Sequence, residues 1–581
     1  MTQHKWDMPF GAAYCADDVT RFRLWAPGVD AIDLDLDSGG RTPMSATGEG
    51  WFETTVGCGP GTGYRFRMKD GATFPDPASR AQRDGVHGWS VVVDPSAYAW
   101  RNEAWRGRPW TEAIVYELHV GAMGGFAGVR QRLPELAALG ITAIELMPIA
   151  DFPGARNWGY DGVLPYAAAC AYGTPDELKA MIDEAHGLGL MVLLDVVYNH
   201  FGPDGNYLHL HSPHFFKGDV PTPWGPAIAF DDPTVADFFA QNALYWINEY
   251  RFDGLRLDAV HAILPDEALP ALGCQIRAGI EPGRQVHLVL ENEHNDAAML
   301  PRPFDAQWND DIHHCLHVLL TGENEAYYRD YADAPAERLA RCLSSGFAYQ
   351  GEQSVNLGQP RGTPSGGLPT TAFVAFVQNH DQIGNRAFGD RLISLADPRA
   401  LRAAVALVLL SPQIPMIFMG EEIGTRSPFM FFTDHNAKLA DAVREGRRNE
   451  FRNFAAFQDA ERRARIPDPN DERTFLASVP SPPDDGFDWQ GFYRDLLAVR
   501  AQHVIPRLAG ARSIEASVIA PSAVRASWRM ADGAVLTIAV NLGDTECASA
   551  LPLNGETIAA TASSVDGKLG ARSTIAHLSR S

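Results

Sequence analysis

From Ala113 onward the chain repeats one alternation: a short apolar run, then a longer stretch with helical spacing. Apolar runs of this length, each followed by an amphipathic segment, are the pattern of parallel strands joined by crossover helices. Ile114–His119 reads as the first strand. Leu133, Leu136 and Leu139 then form a helical stripe, with Pro134 expected in the first turn and Gly140 at the end. Ile141–Met147 and Met191–Val197 are the next strands, separated by a helix that Thr174–Glu177 opens as a capping box with Pro175 at its first position. Val235, Phe238, Phe239, Ala243, Trp246, Ile247 and Tyr250 share one helical face before the fourth strand, within Phe252–His261. Val286–Leu290, Asp305–Trp308, Ala372–Val377 and Ile414–Phe418 complete the series, Asp305–Trp308 being the least distinct. About eight such units close into a (β/α)8 barrel. A doubly wound sheet is the alternative, but no Gly-rich dinucleotide loop follows the first strand.

The ends of the chain keep a different rhythm. Arg21–Ala26, Ala31–Leu36 and Tyr64–Met68 alternate with period two between Gly-rich turns, so residues 1–93 are expected to form a small β-sandwich. A Pro- and Trp-rich link, 94–110, leads into the barrel at 111–507, whose last helix ends near Leu496–Val499. Ala523–Met530 and Ala534–Val540 alternate again and predict a C-terminal β domain over 508–581. The fold class is therefore α/β, a barrel flanked by two β units.

A barrel gathers its chemistry at the carboxyl ends of its strands. Those ends are polar here: Asp195 with Asn199 and His200, Arg256 with Asp258 and His261, Glu291 with Glu293, and His380 with Asp381. Arg256 and Asp258 lie two apart on a strand and project to one face. A guanidinium there favours the ionised carboxylate and fixes its orientation, which suits a nucleophile and equally describes an ordinary ion pair. The convergence of several strand ends favours chemistry. Paired carboxylates beside imidazoles fit glycosidic bond cleavage: one attacks the sugar carbon, and the other protonates the leaving oxygen.

On that reading Asp258 is the nucleophile and Glu291 the acid and later base. Glu291 is preferred to Glu293 because the apolar run ends at Leu290. Asp381 and His380 grip the sugar. Asp195 is read as a brace for Arg256, and Asn199 as an orienting amide. Trp158 and Tyr160 follow the second strand and are read as stacking aromatics rather than core. His119 and His186 are read as packed or solvated. His313 and His314, with Asp310 and Asp311, are read as a solvated loop in preference to a metal site.

Composition narrows the partners. A net charge of −23 argues against nucleic acid and anionic membranes. Seven scattered cysteines without a Cys-x-x-Cys pair suggest neither a disulfide framework nor zinc. With no signal peptide or membrane-length apolar stretch visible, a cytoplasmic location is expected.

The four strand-end motifs, Asp195–His200, Gly254–His261, Glu291 with its strand, and Phe376–Asp381, resemble the short signature regions of the α-amylase superfamily of glycoside hydrolases. Within it the chain most resembles the maltooligosyltrehalose trehalohydrolases. The supporting stretches are Pro75–Arg80, Gly85–Gly88, Thr222–Phe230, Gln307–Asp310, Tyr349–Glu352, Gln378–Arg386 and Phe431–Asp434. The resemblance implies Asp258 as nucleophile, Glu291 as acid/base and Asp381 as transition-state stabiliser.

It further implies that Tyr160, Asp195, His200, Arg256, His261 and His380 hold the sugar at the cut. Trp224, Phe230, Trp308 and Asp310 are then expected to line the trehalose side. The implied reaction is retaining hydrolysis of the α-1,4 bond next to the trehalose of maltooligosyltrehalose, without metal or organic cofactor. A synthase that forms this substrate is the implied functional partner. His261–Ala262 departs from the Lys-His of many amylases, which implies different glucan contacts beyond the cut. Branching and debranching enzymes are the alternatives within the superfamily. A branching enzyme typically reads Ser-His-Asp-Glu where this chain has Asn379-His380-Asp381-Gln382. A non-catalytic relative would have lost a carboxylate, and none is lost.

Overall fold

In the computed structural model of the chain, eight short parallel strands close into a barrel. Residues 4–222, 225–483, 486–549, 555–562 and 568–579 are described. The strands are β1 (Val115–Leu118), β2 (Ala143–Leu146), β3 (Met191–Val196), β4 (Gly254–Leu257), β5 (His287–Leu290), β6 (Ala306–Trp308), β7 (Phe373–Ala375) and β8 (Ile414–Phe418). Each lies within the apolar run that predicts it. Every residue of every barrel strand is buried, which is why these segments read as continuous apolar runs rather than as alternation.

The crossover helices follow their sequence signals with one gap. α1 (Gly125–Leu139), α2 (Pro175–Gly187), α3 (Pro233–Leu244) and α4 (Ala268–Gly279) fill the first four connections. Thr174 caps α2 as a complete capping box with Glu177, and Asp232 caps α3 ahead of Pro233. Between β5 and β6 the described chain has only a single 3-10 turn, Ala297–Met299, so β6 has no helix to announce it. α5 (Asp310–Thr321) and α6 (Pro335–Ser345) connect β6 to β7, α7 (Pro398–Leu410) connects β7 to β8, and α8 (Trp489–Val499) closes the ring.

Pro134 lies inside α1 rather than in its first turn. The buried stripe begins earlier, at Phe126 and Val129, and Gly124 in the left-handed region starts the helix there. His313 and His314 are also not in a solvated loop. They are buried on α5, where the His313 ring reaches the Val377 carbonyl at 2.6 Å and the Tyr328 hydroxyl at 3.0 Å. Among the described residues no group of three or more His, Cys, Asp or Glu side chains is placed to hold a metal ion.

The N-terminal segment forms two facing sheets. One pairs Gly11–Ala16, Val19–Trp25, Trp51–Gly57 and Ser45–Gly48; the other is built around Ile32–Leu36 and Gly63–Met68. Phe22, Leu24, Ile32, Leu34, Phe52 and Phe66 fill the space between them. Arg80 fastens this unit to the barrel wall through a fully buried ion pair with Glu249 at 2.8 Å. The C-terminal strands Arg512–Ala520, Ala523–Arg529, Val535–Asn541, Ser573–Ser579 and Glu556–Ala560 make an antiparallel sheet. It is pinned to α6 by the Trp528 indole on the Leu343 carbonyl and to α7 by Thr574 on the Ala403 carbonyl. No helix among the described residues is long and apolar enough to cross a membrane.

The amino end of β4 carries a structural knot. Asp253, buried just before the strand, accepts from the Val192 amide at 3.0 Å, the Trp105 indole at 2.8 Å and the His186 ring at 2.9 Å. Conserving barrel geometry and doing chemistry are tasks of opposite barrel ends. Asp253→Ala strands these buried donors and is expected to cost about 3–5 kcal/mol, read as a fall in Tm. The folded fraction should keep its turnover per molecule, and a large loss of kcat in well-folded protein would contradict the placement.

Candidate active site

Asp258, Glu291 and Asp381 open onto one cleft of about 470 Å3 at the carboxyl ends of the strands, together with Tyr160, His200, His261 and Asp310. The three carboxylates arrive from three different strand ends, so only barrel closure brings them together.

Arg256 organises the floor. It is fully buried on β4, directly across from Asp195 on β3. Its Nη1 donates to both Asp195 oxygens, at 2.7 and 2.9 Å, and to Asp258 Oδ1 at 2.8 Å. Its Nη2 lies 3.6 Å from Glu291 Oε2. The Trp308 ring underlies the guanidinium at 4.1 Å. Asn199 Nδ2 donates to the second Asp258 oxygen at 2.8 Å and to the Asp258 carbonyl at 2.9 Å. Both oxygens of Asp258 are thus held by donors, and Asn199 orients it as expected. Burial pushes Asp195 up to about 6 even beside Arg256.

Glu291 follows β5. Ala259, the residue after Asp258, takes a left-handed φ of 41°, which an alanine adopts only at some cost. The turn lays the Ala259 amide on Glu291 Oε2 at 2.6 Å and the Val260 amide on the Glu291 carbonyl at 3.0 Å. With Oε2 receiving a donor, a proton on this carboxyl belongs on the other oxygen. Burial is the main reason the Glu291 pKa is raised; Asp258, Asp381 and Asp310 add to it against the pull of Arg256. Glu293 is far more exposed, 47% against 17% for Glu291, and its carboxylate lies 3.9 Å from His261, which leaves Glu291 the better-placed acid.

Asp381 is the second residue of a short helix, His380–Gly384, capped by the Asn379 side chain. It is the most open of the three carboxylates, at 40% exposed. His380 is fully buried beneath it. The ring touches Glu117 on β1 through Nδ1 and the Tyr160 hydroxyl through Nε2 at 2.8 Å. Tyr160 stacks on the His380 ring and donates to Asp195 at 2.6 Å. Asp310, first residue of α5, accepts from Gln382 at 3.0 Å, and burial with Asp381 nearby lifts it to about 7. His200 bridges Asn199 and the Tyr160 carbonyl, and Trp158 stacks on Phe429 at the cleft edge.

Two expected trehalose-side residues are not at the surface of the cleft. Trp308 and Phe230 are 1% and 6% exposed; one lies under Arg256 and the other packs on Phe239. Both have gone to core positions because an aromatic next to a strand end is worth more buried than wet. Trp224 lies outside the described residues. The cleft is extended instead by Tyr327, Asn356 and Arg361, from stretches between β6 and β7 that lie outside α5 and α6. Glu117 is the other unforeseen participant; an acid in the middle of the apolar β1 run is the signal that marks it.

A protonated carboxyl facing a cation-held carboxylate across one cleft is equipped for acid-assisted nucleophilic cleavage of an acetal. Residues 72–214 match the model for the alpha amylase catalytic domain, and 511–575 match a domain of unknown function, DUF3459. A malto-oligosyltrehalose trehalohydrolase of Saccharolobus solfataricus is 39% identical over 85% of this chain and 87% of its own length. That of Deinococcus radiodurans is 39% identical over 83% and 81%. A solved structure of an α-amylase-like protein from Salmonella typhimurium superposes with a TM-score of 0.94 at 46% identity, over 99% of this chain and 100% of that one. With 39% identity over more than four-fifths of its length, the chain belongs to the malto-oligosyltrehalose trehalohydrolase family.

Proposed function

We propose that the protein hydrolyses the α-1,4-glucosidic bond next to the terminal trehalose of maltooligosyltrehalose, releasing trehalose and a malto-oligosaccharide with retention at the anomeric carbon. Asp258 attacks the anomeric carbon as Glu291 gives its proton to the leaving oxygen. Glu291 then removes a proton from the incoming water, which frees the sugar from Asp258. Asp381, in the same cleft, is assigned the stabilisation of the positive charge that grows on the ring. The observation that carries this reading is the meeting of these three carboxylates in one cleft, two of them within reach of a single guanidinium. One cation spanning both favours the closely spaced pair of a retaining enzyme over the wider gap of an inverting one. Tyr160, His200, His261 and Asp310 are proposed to contact the sugar, with Arg256, Asp195 and His380 acting from beneath.

The choice of substrate rests on family membership. A cytoplasmic setting and a synthase that supplies the trehalose-capped glucan belong to the same proposal; the free state of every cysteine favours a reducing compartment. Incubation with maltooligosyltrehalose, matched maltodextrin and glycogen tests it. Free trehalose from the first, at a rate well above glucose or maltose release from the others, is expected. New branches on glycogen, or equal rates on plain maltodextrin, would replace this reading with another from the superfamily.

The acid should also reveal itself in pH dependence. Activity needs Glu291 protonated, so kcat/KM falls as pH rises through its raised pKa. Asp310 is one of the negative charges that hold that pKa up. Asp310→Asn is therefore expected to move the alkaline limb to lower pH by roughly half a unit to one unit. A limb that stays in place or moves upward would show that another group sets it.

A further inference from the structure

Glu117 sits one strand away from any proposed sugar contact, 1% exposed on β1, yet both of its carboxylate oxygens face one residue. The His380 backbone amide donates to Oε2 at 3.2 Å, and the His380 Nδ1 meets Oε1 at short range. At the opposite edge of the ring, Nε2 lies 2.8 Å from the Tyr160 hydroxyl. That hydroxyl gives its own proton to Asp195 Oδ2 at 2.6 Å, so it can only accept from the histidine. Nδ1 meanwhile faces a carboxylate, which can only accept. Both ring nitrogens must then carry hydrogen.

We propose that Glu117 is a positioning residue that keeps His380 as an imidazolium, and so supplies a fixed positive charge beneath Asp381. The resulting chain runs Glu117, His380, Tyr160, Asp195, Arg256, Asp258, alternating in charge apart from the neutral tyrosine. It ties the far wall of the barrel to the proposed nucleophile through groups that are buried apart from Tyr160, which also lines the cleft. Its local effect falls on Asp381, whose Oδ1 is 3.5 Å from His380 Nε2. Asp381 shares the cleft with Asp258, Asp310 and Glu291, and a nearby cation lets it remain ionised among them. The proposal rests on the reaction described above for the meaning of Asp381, whereas the protonation of His380 is independent of any substrate.

The other charged and titratable neighbours of the ring act in both directions. Asp381 favours the imidazolium; Arg256 opposes it, and burial opposes it most strongly. His119, buried nearby and lowered to about 4 by its own desolvation, contributes no charge. Glu145 pairs with Glu117 across β1 and β2, and burial, with Glu117 and Asp195 beside it, raises its pKa well above the usual carboxylate range, which disfavours a second negative charge there. Glu117 and Asp381 outweigh the opposition and hold His380 at about 9.

Glu117→Gln keeps the shape and removes the charge. Turnover is expected to fall roughly 10- to 100-fold with KM little changed, as for a small misplacement of reacting groups. The alkaline limb should move to lower pH by about one unit or more, since His380 then loses its proton in the working range. Glu117→Asp should return the limb towards its original position, and Glu145→Gln, on the next strand and without a hydrogen bond to His380, should leave it in place. The wild-type enzyme, labelled with 15N-histidine, provides a readout that needs no variant and no substrate. At about pH 8, where an unpaired histidine is neutral, one signal should show both ring nitrogens protonated and should vanish in His380→Gln. A singly protonated His380 in that spectrum overturns the proposal. So does a Glu117→Gln enzyme that is less stable but keeps the wild-type pH profile. Absence of trehalose release by the wild type would instead count against the proposed reaction and leave the histidine result standing.

Discussion

Asp258→Asn is expected to lower kcat on maltooligosyltrehalose by roughly four orders of magnitude or more, with substrate binding largely retained. The amide cannot form the covalent link to the anomeric carbon, and nothing else in the cleft is held so as to replace it. The loss corresponds to about 5–6 kcal/mol of transition-state stabilisation. The structure adds a secondary effect. Arg256 donates to one Asp258 oxygen and Asn199 to the other, so an asparagine must turn its NH2 towards one of two donors. One hydrogen bond is lost whichever way the amide faces, and a stability loss of about 1–3 kcal/mol should accompany the loss of turnover. Asp258→Asn that still folds, binds glucan and turns over within tenfold of wild type would remove the nucleophile from the account.

Glu291→Gln should behave differently in kind. General acid assistance is worth about 10²–10⁴-fold, and that is the expected loss on glucan substrates, whose leaving oxygen needs a proton. A substrate such as α-glucosyl fluoride needs little protonation, so its first step should be nearly spared and the glycosyl-enzyme should accumulate. Added azide needs no general base and should restore turnover, yielding α-glucosyl azide. The alkaline limb assigned to Glu291 should vanish, because an amide has no proton to lose in that range. The Ala259 amide still finds an oxygen acceptor in glutamine, so the fold is expected to tolerate this change better than Asp258→Asn. Equal loss on the activated substrate, or failure of azide to help, would point to another acid; Glu293, exposed beside His261, would be tested next.

What could be read from the chain alone divides along a physical line. The barrel strands are visible because each is a buried apolar run bounded by polar strand-end residues, and the carboxylates stand at those bounds. β6 is the faint one for a reason the structure supplies: it is three residues long and has no helix before it. Pro134 misleads because a proline normally marks a first turn, whereas here the packing of Phe126, Val129 and Leu133 against the barrel carries the helix through it. His313 and His314 mislead because polar residues in sequence read as solvated, while the helix they belong to is covered on both sides by Tyr328, Phe376 and neighbouring rings.

The same limit applies to the trehalose-side aromatics. The family resemblance places Trp308 and Phe230 near the cleft, but only packing decides whether a ring faces the sugar or the core, and both face inward. The Tyr327–Arg361 lobe and the Glu117–His380 contact are tertiary facts. Tyr327, Asn356 and Arg361 fall outside the periodic stretches of α5 and α6, and Glu117 and His380 are 263 positions apart, so no local spacing could announce these contacts.

The account stands on three acids acting on a single sugar ring, with Asp258 as the one that bonds to it. The most direct measurement is to trap that bond: incubate the enzyme with a 5-fluoro-α-glucosyl fluoride, digest it, and locate the added sugar by peptide mass spectrometry. A label on Asp258 is the predicted result, reduced or absent in Asp258→Asn. A label on Asp381 or Glu293, or turnover with inversion and no covalent species, would contradict it.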